Sequence, residues 1–353
     1  MFRKKTAIDK PVAAQTTQVK PIHRPDFFKW IILVTSLIFL LVCLYLSIIY
    51  GAVNFSLTQA YEAFTAFDGS TSHLIIRTVR LPRSLVAICA GTALAVAGTL
   101  MQGLTRNPLA SPSILGINAG AVFAVVVANF FVGNISINAY AGFAFLGATI
   151  TAVSIYSLGS LGRNGLTPLS LTLIGVALTT FLSSLTTGIL IVSRKTLNEI
   201  RFWLAGSVAG RDLDLLLDIL PYLAIGLLLA FILSKPMNLL SFGDDIAKGL
   251  GQNIVWIKLS ACLSIILLAG ASVAMAGPIG FIGLIIPHLA RFLVGIDYRW
   301  VLPYAAILGA IILLLADIVA RIIARPTEIP VGLITPLLGA PVFIYLTHRQ
   351  VKR

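Results

Sequence analysis

The sequence predicts an all-α membrane protein with about ten transmembrane helices. Hydrophobic residues make up 58% of the 353 residues and charged residues only 11%, far less charge than a soluble surface carries. The apolar residues also come in long runs, and residues 107–162 contain no Asp, Glu, Lys or Arg. Because a helix needs about 20 residues to cross the hydrocarbon core, one bundle of helices accounts for the chain.

The predicted spans follow one another with short breaks. The first begins at Trp30, because the uncharged run to Tyr50 is too long for the core of a signal peptide. Two later breaks fall inside charge-free runs, at Gly133–Asn138 and at Gly277–Pro278. The ten predicted spans are residues 30–50, 83–104, 113–131, 140–160, 168–192, 213–234, 256–275, 279–296, 300–323 and 330–348.

The basic residues predict the orientation. With ten spans, 17 of the 26 Lys and Arg residues fall in cytosolic segments, as the positive-inside rule expects. We therefore expect residues 1–29 to form a cytosolic tail, residues 30–348 the membrane domain with a cytosolic loop at 235–253, and residues 349–353 a cytosolic C-terminus. A net charge of +13 distributed in this way does not indicate nucleic-acid binding.

A repeated pattern predicts two related halves. AGTALAVAG at 90–98 and AGASVAMAG at 269–277 agree at five of nine positions. The first lies in span two and the second in span seven, so the two copies run in opposite directions. The sequence therefore predicts an inverted repeat that relates spans 2–5 to spans 7–10, a common plan in transporters.

The common motifs of catalysis do not occur in this sequence. It contains no GxxxxGK[S/T] loop for nucleotide, no HExxH, no GxSxG and no paired-cysteine pattern. We therefore expect a protein without enzymatic activity, cofactor or metal site of its own.

Four long segments resemble the FecCD-type permease subunits of bacterial type II ABC importers. They are RLPRSLVAICAGTALAVAGTLMQGLTRNPLASPSILGINAG at 80–120, KPMNLLSFGDDIAKGLGQN at 235–253, AGPIGFIGLIIPHLAR at 276–291 and ADIVARIIARPTEIPVGLITPLLGAPVFIYL at 316–346. The resemblance implies a bacterial plasma-membrane permease that pairs with a second permease subunit, identical or homologous. Two ABC ATPase subunits would drive it and an extracytoplasmic substrate-binding protein would supply an iron(III)–siderophore complex; haem or vitamin B12 is the alternative.

The loop at 235–253 mixes acidic and basic residues, and Asp244 and Asp245 suit the first turn of a helix. A short amphipathic helix here could dock in a partner's groove, although a plain solvated loop is the simpler possibility. In the similar permeases this loop couples transport to the ATPase. The resemblance thus assigns coupling to six residues: Gly243, Asp244, Asp245, Ala247, Leu250 and Gly251.

Arg80, Arg83 and Arg321 fall at the predicted outer face. Arginines beside a membrane usually bind lipid phosphates, and membrane lipid is one expected partner. In similar permeases the matching arginines meet glutamates of the binding protein, and a guanidinium pairs with a carboxylate through two hydrogen bonds. We also expect Asp317 to pair with Arg321, four residues later on the same helix.

Span five carries hydroxyl groups at helical spacing. They could line a wet pathway or equally pack against a neighbouring helix. The resemblance favours the pathway and places the cytoplasmic gate just before this span. The candidate hydroxyls are Thr172, Thr179, Ser183 and Thr186, and the candidate gate is Thr167, Pro168, Leu169 and Ser170.

An ion-coupled secondary transporter is the second hypothesis, because inverted repeats and broken helices occur there too. Such a protein needs acids or histidines within the membrane. Asp317 is the one candidate in this sequence.

Overall fold

The computed structural model describes residues 25–51, 53–133, 135–161, 167–325 and 327–351. Fifteen α-helices account for most of these described residues, and no strand occurs among them. The helices are α1 Asp26–Ile49, α2 Leu57–Thr65, α3 Thr71–Ile75, α4 Leu81–Thr105, α5 Ile117–Val132, α6 Ile137–Ser160, α7 Pro168–Val192, α8 Arg194–Leu204, α9 Leu213–Ile232, α10 Ser234–Leu240, α11 Asp244–Gly249, α12 Ile254–Ala276, α13 Ile282–Val294, α14 Tyr298–Ile323 and α15 Val331–Val351.

Each predicted span coincides with one helix: α1, α4, α5, α6, α7, α9, α12, α13, α14 and α15. Within the described ranges, seven helical segments are long and apolar enough to cross a membrane, and the shorter apolar helices are Ile117–Val132, Ile282–Val294 and Val331–Pro341. Both breaks predicted in charge-free runs are confirmed. The all-α, multi-pass architecture predicted from composition is thus confirmed as well.

The helix α4 lies at the centre of the bundle. It packs against α12, α13 and α14. Small residues permit this, because a Cβ on Gly98 would overlap the carbonyl oxygen of Gly283 on α13, and one on Gly91 would overlap that of Gly309 on α14.

The helix contacts have the symmetry of the predicted repeat. Whereas α4 packs against α13 and α14, its counterpart α12 packs against α5 and α6. Likewise α5 contacts α6 and α7, as α13 contacts α14 and α15. Two halves of opposite direction that exchange equivalent contacts are what an inverted repeat predicts.

Three of the ten helices are shorter than the spans predicted from sequence: α9 by two residues, α5 by three and α13 by five. At about 1.5 Å per residue, the 13 residues of α13 cover roughly 20 Å. Before it the backbone turns at Gly277 and Phe281, both at positive φ. The 16-residue α5 likewise follows a short 3₁₀ turn and Gly116, again at positive φ. Such irregular backbone is tolerated at membrane depth where surrounding protein shelters it.

The remaining helices cap the two ends of the bundle. At the predicted outer end lie α2 and α3, joined to α4 by a π-helical turn at Ile76–Arg80, together with α8. At the predicted cytosolic end lie α10 and α11. The N-terminal tail up to residue 24 and residues 352–353 fall outside the described residues.

Candidate functional site: coupling loop, gate and outer arginines

The loop at 235–253 folds into α10 and α11, and Asp244 and Asp245 lie in the first turn of α11 as predicted. Asp244, in the first turn of α11, receives a salt bridge from Lys258 on α12 at 2.7 Å and another from Arg106. Arg106 ends α4 in a left-handed conformation and also donates to the Leu240 carbonyl at 3.1 Å. We call Arg106, Asp244 and Lys258 the latch, because together they fasten α11 to α4 and α12.

The Asp244 carboxyl of the latch is ionised at neutral pH. Burial alone would raise the pKa of the Asp244 carboxyl, but the hydrogen bond from Lys258 and the nearby charge of Arg106 lower it overall. A carboxyl with a lowered pKa stabilises the folded state above its ordinary pKa, and it loses that contribution only as the pH falls through the lowered value.

Beyond the latch, the loop presents an apolar knob to solvent. Phe242, Ile246 and Leu250 are 65%, 54% and 60% exposed, and Asp245 is exposed beside them. Ala247 on the opposite side is fully buried. Of the six residues assigned to coupling, Asp245 and Leu250 can therefore touch a partner and Ala247 cannot.

The two glycines of the set have a conformational role. Gly243 and Gly251 flank α11 at φ +123° and +80°, a region that other residues rarely adopt. They allow the chain to turn sharply into and out of a helix of only six residues.

The candidate gate lies against the latch. Thr167 caps α7 through reciprocal hydrogen bonds with Ser170, both at 3.1 Å, and Pro168 occupies the first helical turn. Thr167 and Pro168 line a cavity of about 420 Å³ together with Asp244 and Lys248 of α11. The fold therefore brings the candidate gate and the loop at 235–253 together, although Thr167 and Asp244 are 77 positions apart in the sequence. Leu169 is exposed on the open side of α7.

The candidate pathway hydroxyls divide into two environments. Thr179, Ser183 and Thr186 line a groove of about 320 Å³ between α7 and α5. Thr186 is buried and donates to the Leu182 carbonyl, whereas Thr172, nearer the gate, donates to the Pro168 carbonyl. In this groove the hydroxyls lie against α5, as the packing alternative expects. That they line a transport pathway stays a prediction.

A second hydroxyl face of α7 escaped the sequence analysis. Thr180 and Ser184 are exposed and joined by a hydrogen bond from the Ser184 hydroxyl to the Thr180 carbonyl at 2.9 Å. They lie on the side of α7 that no other described helix covers. Their spacing of four residues predicts that both hydroxyls lie on one face of α7. Spacing alone does not show whether a neighbouring helix covers that face.

Asp317 holds two of the outer arginines. Arg83 on α4 donates to its carboxylate through Nε at 3.1 Å and Nη2 at 2.9 Å, and Arg321 pairs with it at 2.9 Å. The predicted Asp317–Arg321 pair is therefore present. Arg83 also donates to Glu328 at 2.5 Å, and Arg321 to the Ser47 carbonyl at 2.9 Å.

Arg80 has intramolecular partners as well. It donates to the Tyr50 and Val53 carbonyls at 2.5 and 2.6 Å and lies over the ring of Phe55. All three arginines are buried, with at most 6% of each exposed. They fasten the outer ends of α1, α4 and α14 together, a role that the sequence analysis missed. That they bind a partner protein stays a prediction.

Comparison with known proteins identifies this arrangement. The model of the FecCD transport family matches residues 39–349, which include the latch, the gate and the arginines. The chain belongs to the FecCD transport family.

Its relatives in this family are named as transport permeases. The chain is 53% identical to the probable siderophore transport system permease protein YfiZ of Bacillus subtilis, over 92% of this chain and 97% of that protein. It is 44% identical to the iron(3+)-hydroxamate import system permease protein FhuB of the same organism, over 91% and 83%. A solved inward-facing structure of a putative metal-chelate type ABC transporter superimposes with a TM-score of 0.79 at 34% identity, covering 90% of this chain and 99% of that one.

Proposed function

We propose that this FecCD permease forms the translocation pathway for an iron(III)–siderophore complex in a bacterial plasma membrane. The observation that carries the proposal is the latched coupling loop, whose apolar knob faces solvent next to the gate. The relatives named for siderophore and ferric hydroxamate transport support the substrate class. A hemin permease of Yersinia pestis, 40% identical, keeps haem as the second candidate, with vitamin B12 behind it.

The energy source in this proposal is a pair of separate ABC ATPase subunits. An apolar knob of Phe242, Ile246 and Leu250 fits the groove of a partner, since apolar side chains anchor a helix in such a groove. The latch then transmits movement of α11 directly to α4 and α12. The gate at Thr167 is affected as well, because it lines the same cavity as α11. A second permease subunit would cover the open face of α7, and a binding protein would dock at the outer end.

Reconstituted transport tests this proposal. The permease, its ATPase subunits and the binding protein are placed in liposomes, and uptake of a ⁵⁵Fe–hydroxamate chelate is followed with and without ATP. We expect Leu250→Asp or Asp245→Lys to abolish ATP-dependent uptake but leave capture of the binding protein intact. Lys195→Gln, an exposed change at the outer end, is the matched control and should transport normally. Uphill uptake by the permease without any ATPase subunit would refute the proposal.

The secondary-transporter hypothesis depends on Asp317. Its carboxylate is fully buried and paired with both Arg83 and Arg321. A carboxylate that already pairs with two guanidinium groups has no free position for a coupling ion. This geometry favours the ABC importer.

A further inference from the structure

Two residues that line a cavity at the outer end have buried N–H groups without a partner among the described residues. The cavity, of about 320 Å³, lies between α8, the loop at 205–211 and the start of α15. Arg211 and Trp203 line it and are only 7% and 5% exposed. Neither Nε of Arg211 nor Nε1 of Trp203 finds a hydrogen-bond acceptor among the described residues.

Arg211 differs in this respect from the three outer arginines. Each of those has carboxylate or carbonyl partners, whereas no carboxylate of the described ranges lies within 4 Å of Arg211. The neighbouring Asp212 instead caps α9 by accepting from the Leu215 backbone at 2.9 Å. A buried guanidinium without an anion is costly, so this cavity is complete only when an anion enters it.

The cavity has a fixed shape. Ser207 donates to the Ala276 carbonyl at 2.8 Å, and Gly332 donates to the Gly206 carbonyl at 2.9 Å, so α12 and α15 hold the loop on both sides. The ring of Tyr140 lies 6.3 Å from that of Trp203, and these two rings with Phe202, Ile329 and Pro330 form the apolar part of the wall. A rigid apolar hollow with a few aimed polar groups is the usual form of a ligand site.

The chemistry of the two unpartnered N–H groups indicates the class of ligand. Both free groups are donors and one is a cation, so the ligand is an anionic acceptor, and a planar guanidinium matches a carboxylate. Glu199 and Glu328 also line the cavity and disfavour anions of higher charge. We propose that Arg211 and Trp203 form a carboxylate-binding site beside the outer entrance. The carboxylate belongs to the transported chelate or to an acidic side chain of the binding protein, an assignment that rests on the proposed function.

Binding of a small carboxylate tests the site itself. The purified full-length permease–ATPase complex is titrated with propionate, and with uncharged propionamide as the control ligand, at constant ionic strength, and thermal stability is the readout. We expect propionate alone to raise the melting temperature. Arg211→Gln should weaken the apparent affinity by roughly tenfold or more, while Arg211→Lys keeps part of it. Arg194→Gln, at an exposed position of α8, should behave as wild type.

If propionate raises the melting temperature of wild type and Arg211→Gln equally, or does not raise that of wild type, the proposed site is wrong. Because the first measurement needs no transport, it stays readable even if the protein carries no ferric chelate. If Arg211→Gln misfolds, wild type, Arg211→Lys and Trp203→Phe still decide the question, because Trp203→Phe removes one donor and keeps the ring.

Two further measurements on folded variants identify the source of the carboxylate. If the carboxylate belongs to a side chain of the binding protein, Arg211→Gln should weaken capture of that protein and slow uptake of every chelate alike. If the carboxylate belongs to the chelate, Arg211→Gln should leave capture of the binding protein unchanged. Uptake should then fall only for chelates with a free carboxylate, relative to an uncharged ferric trihydroxamate. Unchanged capture together with unchanged uptake of both chelates would contradict either source and with it the proposed role.

Discussion

Asp317 is the residue on which the outer end depends most. Its one buried carboxylate pairs with both Arg83 and Arg321, and these in turn reach Glu328 and the end of α1. Removal of one partner from a buried ion pair leaves an uncompensated charge, which is far more costly than the pair itself is stabilising.

We therefore predict that Asp317→Asn destabilises the protein by about 3–5 kcal/mol. Thermal unfolding of the purified protein in detergent measures the effect. Asp214→Asn on α9 is the control, since that carboxylate is exposed and should change little. Equal melting temperatures for the two variants would show that the buried charges are already compensated by other groups.

Single substitutions also test the predicted contact with glutamates of the binding protein, which involves Arg80, Arg83 and Arg321. Arg80→Glu, Arg83→Glu and Arg321→Glu should weaken capture in detergent, and a glutamate-to-arginine change on the binding protein should restore part of it. Because all three arginines are buried, the melting temperature must be measured alongside. Unchanged affinity in folded variants contradicts the contact; so does a loss of capture that only follows unfolding.

At the scale of helices, close packing depends on single glycines. The backbone of α4 touches that of α13 at Gly98, where a Cβ would overlap a carbonyl oxygen, whereas a Cβ on Gly142 of α6 would meet open space. We predict that Gly98→Ala lowers the melting temperature clearly. Gly142→Ala should leave it unchanged or raise it slightly, because Ala favours a helix over Gly by up to about 1 kcal/mol. Similar melting temperatures for both variants would mean that α4 and α13 can separate without cost.

The latch makes a separate prediction for α11. Asp244→Asn removes the charge that Arg106 and Lys258 both bind, so α11 loses its rigid link to α4 and α12. We expect ATP hydrolysis to continue while uptake per ATP falls several-fold, because coupling is a shared free energy between two sites. The ratio of chelate imported to ATP consumed in liposomes is the measurement. An unchanged ratio would show that the knob alone transmits the movement.

At the scale of the whole molecule, ten spans predict that both termini lie in the cytosol. Single cysteines at positions 10 and 352, in a cysteine-free background, should react with an impermeant maleimide only after permeabilisation. Lys195→Cys on α8 is the outward-facing control and should react in intact spheroplasts. Labelling at position 10 or 352 before permeabilisation would refute the even number of spans.

The class of the protein and the order of its helices could be predicted from the sequence alone. Apolar runs, the glycine breaks at 133 and 277 and the paired AGxxxAxAG strings are local signals, because a bilayer imposes length and polarity on each segment separately. The resemblance of four segments supplied the family, and Asp317 with Arg321 could be paired from their spacing alone.

Only the tertiary structure decided which side of each helix is open and which charges meet. Arg83 and Asp317 are 234 residues apart, and Arg106 and Asp244 are 138 apart, so no local pattern joins them. Burial of the outer arginines, the latch and the unpartnered Arg211 all arise where separate helices converge. Spacing gives the face of one helix, whereas contact between helices depends on how the whole bundle packs.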